Sequence, residues 1–242
     1  MNKRIYNTLS IPALMMLLLA AASAQPQPTP TADEVVTKMM SFDAQRQAEM
    51  TGYTAIRRYV AVNKERRAEM VVRVECSAEG VKQFTILSEE GSGAIRKRVL
   101  HKLVDEEAEA SQRGTRSGTR LTPDNYQFQL LGEEQLENGS AYVLSVTPRS
   151  RNKYLIEGKI WVNKNDYSVV RLEGQPAKNP SFWVRDVHIV HTYQKVGQFW
   201  FASATHTTSR VRIFGPSELT IENSDYVLSQ SSNTNRLAGL MR

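Results

Sequence analysis

Apolar and polar positions alternate along most of this chain with a period of two, the pattern of strands that bury one face of a sheet. Met70, Val72, Val74 and Cys76 alternate with Val71, Arg73 and Glu75. A strand over Tyr53–Val62 precedes this one, and Ala78-Glu79-Gly80 reads as a turn into another over Val81–Ser88. From Asn125 onward the pattern predicts strands near Tyr126–Leu131, Tyr142–Pro148, Tyr154–Val162, Ser168–Glu173, Trp183–Val196, Gln198–Phe214 and Ser217–Leu228. Turn-forming stretches separate them, among them Glu137-Asn138-Gly139, Asn163-Lys164-Asn165-Asp166, Val196-Gly197 and Gly215-Pro216. Such short connections require antiparallel neighbours, because a parallel crossover needs a dozen residues or more.

Two stretches switch to helical spacing. Thr31 and Glu34 stand as a capping box, each satisfying the other's free backbone N–H. Val35, Met39 and Phe42, with Val36 and Met40 beside them, then form one apolar stripe on a helix that ends near Met50, before Thr51-Gly52. The second helix lies between Gly93 and Gly114, with Ile95, Val99, Leu100, Leu103 and Val104 on a narrow apolar face. Its charges oppose the helix dipole: Arg96, Lys97 and Arg98 near the start, Asp105, Glu106, Glu107 and Glu109 near the end. Packing must therefore hold this helix in place. Its glycine-rich flanks (Gly91, Gly93, Gly114, Gly118) leave two readings open, a packed core helix or a movable lid. The implied fold is mainly β (α+β): a half-open antiparallel barrel of about ten strands with two covering helices.

The N-terminus adds a destination. Lys3 and Arg4 precede an apolar run from Ile11 to Ala22, and Ala22-Ser23-Ala24 leads into a polar, proline-rich stretch. These are the three parts of a cleavable secretory signal. The apolar run falls short of the roughly 20 residues needed to span a bilayer. Cleavage after Ala24 takes 24 of 242 residues and leaves 218. The expected layout is a signal peptide (1–24), a proline-rich spacer (25–31), one domain (32–228) and a polar tail (229–242). Removing Lys3 and Arg4 leaves 29 basic against 25 acidic residues, an excess too small to demand nucleic acid. The one cysteine, Cys76, has no disulfide partner, is not at the cleavage site to take a lipid, and reads as a small buried hydrophobe. The periplasm is the expected compartment, with full secretion left open.

Candidate chemistry changes this picture little. His188 and His191, the closest histidine pair, stand three apart on one strand and so point to opposite faces, unsuited to sharing a metal. Gly91-Ser92-Gly93 lacks the Lys-Ser/Thr ending of a phosphate loop. Glu89-Glu90 and Glu133-Glu134 are chain neighbours facing opposite ways, and no cofactor motif is present. Arg113, Arg116 and Arg120 lie in a Gly/Ser/Thr loop without the stacking rings of a nucleic-acid site. Aromatic bulk is the distinctive feature: Trp161, Phe182, Trp183, Phe199, Trp200 and Phe201 concentrate in the last third. They fit either core packing or the lining of an apolar cavity, which a barrel of this size can hold.

From Tyr142 the segments YVLSVTP, LIEGKIWVNKNDYSVVRLEGQP and PAKNPSFWV resemble the outer-membrane lipoprotein-sorting family, the LolA/LolB type of periplasmic carrier. The resemblance is best over about 125–228. It implies an incomplete barrel with helices as a lid, which carries acyl chains without catalysis. The Arg-Pro segment that helps lock the lid in that family has no counterpart here, so no locking arginine is carried over. The resulting expectation is a non-enzymatic, monomeric periplasmic carrier for lipoprotein acyl chains or another lipid, with membrane-anchored donor and acceptor proteins as partners. The lipid-binding candidates are Ile95, Val99 and Leu103 on the lid and Trp161, Phe199 and Phe201 on the sheet. The alternative is a lipid-responsive regulatory protein of the same fold that binds a membrane signalling partner. An enzyme is the third reading, favoured only if three polar side chains converge in the cavity.

Overall fold

The structure is a computed structural model that describes residues 29–112, 118–137, 139–212 and 215–229. The expected signal sequence (1–24), most of the expected proline-rich spacer (25–31), Arg113, Arg116 and the expected tail beyond Ser229 lie outside the described residues.

Helix α1 (Ala32–Glu49) begins where the capping box predicts. The Glu34 N–H donates to Thr31 Oγ1 at 3.2 Å, and the Thr31 N–H donates to the Glu34 carboxylate at 2.7 Å. The chain then enters β1 (Gly52–Asn63), β2 (Arg66–Ser77) and β3 (Lys82–Gly91). A second helical stretch follows: α2 (Gly93–Ile95), a π-helical turn (Arg96–Leu100) and α3 (His101–Gln112). Seven strands complete the domain: β4 (Tyr126–Leu136), β5 (Gly139–Pro148), β6 (Ile156–Asn163), β7 (Val169–Pro176), β8 (Val184–Val196), β9 (Phe199–Val211) and β10 (Gly215–Leu228).

Among the described residues the ten strands form one antiparallel sheet, in the order β3-β2-β1-β10-β9-β8-β7-β6-β5-β4. Every chain neighbour pairs by a hairpin except β3 and β4. The return of β10 onto β1, with Tyr59 opposite Ile221, pairs the last strand with the first. β3 and β4 remain as the two edges, so the barrel is half-open as expected from the sequence. Register shifts at Thr54/Ile56, Val71/Val72, Leu130/Gly132, Trp161/Val162, Arg185/His188 and Thr192/Tyr193 bend the strands. Such bulges increase local twist and curve a sheet. Gly158 and Gly174 face each other across β6 and β7. A Cβ on Gly158 would stand 2.0 Å from the Glu173 carbonyl oxygen, and one on Gly174 would stand 2.3 Å from that of Glu157. Only two glycines let the backbones approach this closely.

Each helical stretch covers one wing of the sheet. Val35, Val36 and Met39 of α1 pack on Tyr142, Leu144, Val146, Ile160, Val162 and Leu172. Leu100 and Val104 pack on Tyr59, Met70, Val72 and Val74, with Ile95 at the margin. The predicted apolar face of this helix is therefore shifted. The π turn inserts an extra residue, so Ile95 aligns with Leu100 and Val104, while Val99 is exposed.

Candidate functional site

Between the two covered wings lies a cleft of about 660 Å³. One wall is the second half of α1 and the residue that caps it, contributing Met39, Met40, Arg46 and Met50. The facing walls are the start of β1 at Tyr53, the β2–β3 turn from Cys76 to Gly80, the β6–β7 turn at Tyr167 and Ser168, and Tyr193, Phe199 and Trp200 of the β8–β9 hairpin. The stripe that the sequence places on α1 is thus divided. Val35, Val36 and Met39 are buried, whereas Met40 and Phe42 are partly exposed. Methionine is suited to such a surface, because its unbranched, polarisable side chain adapts to irregular apolar shapes.

An aromatic stack supports the floor. Phe201 lies 4.6 Å from Tyr226 in a stacked arrangement, 4.9 Å from Tyr53 edge-on and 6.1 Å from Phe199. The Tyr226 hydroxyl donates to the Ala202 carbonyl at 2.8 Å, and burial, the largest influence on it, pushes its pKa up to about 12. Burial likewise raises the Tyr53 and Tyr193 phenols, so all three stay neutral near pH 7. The floor is therefore uncharged.

The β6–β7 turn ties the walls together. Asn163 Oδ1 accepts the N–H groups of Asn165 and Asp166, which fixes the turn. Asp166 then accepts from Trp200 Nε1 at 2.8 Å and Lys195 Nζ at 3.0 Å, while its carbonyl accepts from Arg46 of α1 at 2.9 Å. Burial would raise the Asp166 pKa, but the bonds from Trp200, Lys195 and Ser168 outweigh it and hold the carboxyl below its ordinary value. Arg120 pairs with Asp43 at 2.8 Å across the mouth.

Beneath α3 lies a charged cluster. Arg57 is only 6% exposed, on the inner face of β1. Its Nε donates to Asn223 Oδ1 at 2.6 Å, and its Nη1 donates to Glu107 of α3 at 2.7 Å and to the Tyr59 hydroxyl at 3.2 Å. The other Glu107 oxygen receives Lys82 Nζ at 2.5 Å. Burial would raise the Glu107 pKa, yet Lys82 and then Arg57 lower it below the ordinary value. Arg96 and His101 at the other end of the helix both meet Glu89 of β3, each at 2.7 Å. Arg96 and Glu107, two of the charges that oppose the helix dipole, are thus answered by strand residues. Five polar side chains, Arg57, Tyr59, Lys82, Glu107 and Asn223, converge here, and each Glu107 oxygen already holds a cation.

The six sequence-derived candidates are dispersed. Phe199 lines the cleft, and Phe201 lies in the stack behind it. Ile95 and Leu103 are half-buried on the other wing, and Val99 points outward. Trp161 is 5% exposed but packs with Ala141, Val143 and Val170 on the opposite sheet face from α1, under Arg171 at 4.7 Å and donating to Glu134 at 2.8 Å. Sequence reasoning missed Met50, Tyr53 and Tyr193, and it read Cys76 as a buried hydrophobe. The thiol is instead half-buried in the cleft wall, 3.6 Å from the Ser77 carbonyl. His191 is turned inward onto Thr205 Oγ1 at 2.7 Å, whereas His188 faces out near Glu173. Among the described residues no group of three or more His, Cys, Asp or Glu is placed to hold a metal ion, and no helix is long and apolar enough to cross a membrane.

Residues 122–223 match a family described as a family of unknown function (DUF5686). No curated protein matches the chain. Similar solved structures include a DUF1329 family protein from Desulfovibrio piger, 11% identical, with 83% of this chain and 94% of that one covered and a TM-score of 0.43. They also include a structure from Vibrio parahaemolyticus described as an outer-membrane lipoprotein-sorting protein domain, 13% identical over 86% of this chain and 100% of that one, TM-score 0.41. A LolA superfamily protein from Nitrosomonas europaea is 11% identical over 85% of this chain and 97% of that one, TM-score 0.38.

Proposed function

We propose that this chain is a non-enzymatic periplasmic carrier, exported after loss of residues 1–24, that holds lipoprotein acyl chains or another lipid for transfer toward the outer membrane. The observation that carries this reading is the cleft of about 660 Å³, whose apolar lining includes Met39, Met40, Met50, Tyr193 and Phe199, with Asp43, Arg46, Lys82 and Arg120 among its charged lining. That volume lies within the range of small-molecule sites. Each methylene buried there contributes about 0.8 kcal/mol. Phe199 meets the chain directly, and Phe201 sustains the floor. Ile95 and Leu103 join the surface only if the 93–112 helix leaves its place on β1–β3, which would break the Glu107 and Glu89 pairs. Val99 and Trp161 lie outside the cleft.

Native mass spectrometry of the protein taken from its own periplasm tests the reading, with uptake of a fluorescent fatty-acyl probe as the binding measure. A co-purifying lipid is expected, and Met40→Asp, at an exposed position of the cleft wall, should weaken probe binding about tenfold or more, the cost of placing a charge against an acyl chain. Protein recovered empty that takes up no probe would sink the carrier.

A further inference from the structure

A second surface lies at the opposite end of the sheet. In an antiparallel sheet alternate connections share an end. The cleft uses the β2–β3, β6–β7 and β8–β9 turns. The β5–β6, β7–β8 and β9–β10 connections gather at the other end, joined by the Ala177 N–H to the Leu155 carbonyl at 2.8 Å and the Arg212 N–H to the Trp183 carbonyl at 2.9 Å. Three large rings stand exposed there: Phe182 at 67%, Tyr154 at 61% and Trp183 at 52%. Phe182 and Trp183 meet edge-on at 5.3 Å. The Arg212 guanidinium lies 4.0 Å over the Phe182 ring, and Lys153 Nζ lies 4.8 Å over that of Tyr154. A shallow pocket of about 330 Å³ is bordered by Arg151, Lys178, Phe182, Arg185 and Arg212. Residues 151–154, 178–186 and 210–212 together hold six Lys or Arg and a single carboxylate, Asp186. This concentration is far above the chain as a whole, whose 31 basic residues face 25 acidic ones.

We propose that this end of the sheet docks on a membrane surface rich in anionic phospholipid. The chemistry is that of the headgroup layer. Tryptophan and tyrosine place an apolar ring and a polar tip at that depth, and clustered lysine and arginine are drawn to the negative surface. The rings sit on the tips of hairpins and project outward, which suits a soft, flat partner. A folded acidic protein would offer the cations the same charge, but it would have to supply a pocket for three protruding rings. Arg212 and Lys153, held over the rings, bring each cation and its neighbouring aromatic to the same level. The surface is separate from the cleft, so docking does not depend on what the cleft carries.

Flotation of the periplasm-purified protein with vesicles of phosphatidylcholine containing phosphatidylglycerol, against pure phosphatidylcholine, tests this. Binding to the anionic vesicles is expected, weakening as salt shortens the reach of surface charge. Trp161 and Trp200 face protein rather than the patch, so the blue shift of tryptophan emission on binding should vanish in Trp183→Ala. Arg151→Glu with Arg212→Glu should weaken binding by about tenfold or more, since each cation contributes measurably near an anionic surface. Phe182→Ala with Trp183→Ala should weaken it while leaving the thermal midpoint unchanged. Equal binding to pure phosphatidylcholine, or no binding to either vesicle, would overturn the proposal. Capture by soluble poly-glutamate as strong as by vesicles, without a Trp183 shift, would replace the membrane with an acidic protein surface and overturn it too.

Discussion

Arg57 places a full charge where a strand would ordinarily bury an apolar side chain. Asn223, Tyr59 and Glu107 all bond its guanidinium. Truncating one partner of such a set strands the other charge, which is why Arg57→Ala should cost about 3 kcal/mol in urea unfolding. Glu107→Gln should cost less, because the amide oxygen still accepts from Arg57. Acid acts on the same pair. The Glu107 pKa is lowered in the folded state, so its stabilisation is present above the unfolded value near 4.5 and lost as pH falls below it. His191 acts in a milder window. Burial lowers its pKa from the ordinary 6.5. The unfolded chain therefore takes up this proton first, and the His191 contribution, full above pH 6.5, declines as pH falls. The urea midpoint should drop between neutral pH and pH 5.5, and His191→Asn should flatten that slope. An unchanged slope would mean that the ring titrates freely in the folded protein.

At the scale of elements, the two helices are held by different forces. α1 carries its own start signal in the Thr31–Glu34 box and buries Val35, Val36 and Met39 on the β4–β7 wing. The helix from Gly93 has unfavourable intrinsic electrostatics and is anchored by Glu89 on one side and by Lys82 and Arg57 on the other. The π turn shifts its face so that Leu100 rather than Val99 enters the core. Curvature of the sheet rests on the bulges and on the Gly158–Gly174 contact. Gly158→Ala would press a methyl group onto the Glu173 carbonyl, a backbone atom that cannot swing aside. Overpacking of this kind costs about 1–3 kcal/mol, so the variant should unfold at lower urea than wild type, and Gly174→Ala should do likewise. Wild-type stability in both would show that the strands can part without loss.

For the whole molecule, the half-open sheet leaves a cleft between two separately covered wings, and Cys76 sits in its wall. Cys76 is the single thiol of the chain and so a built-in reporter of occupancy. If an acyl chain fills the cleft, alkylation of Cys76 by iodoacetamide should slow several-fold when the fatty-acyl probe is added. Met40→Asp, at an exposed position of the same cleft, should abolish that protection without altering labelling of the probe-free protein. Labelling indifferent to the probe would place the ligand elsewhere.

Local order decided much of this protein. The capping box, the stripe of α1, the strand alternation and the short turns are set by neighbours a few residues apart, and they suffice for ten antiparallel strands with two helices. Alternation also shows which residues share a face, but it cannot say which face is inner. Alternation alone could not tell that Trp161 lies on the sheet face away from α1 while its neighbour Ile160 packs beneath that helix. Partners far apart in the chain were invisible for a related reason. Arg57 meets Glu107 and Asn223 across 50 and 166 residues, and nothing local to Arg57 marks it as buried. Tyr193, Phe199, Met39 and Cys76 come together only when the sheet curves and β10 returns to β1. Short-range patterns thus fixed the elements, whereas curvature and closure, which depend on bulges and on long-range pairing, decided which side chains face the cleft.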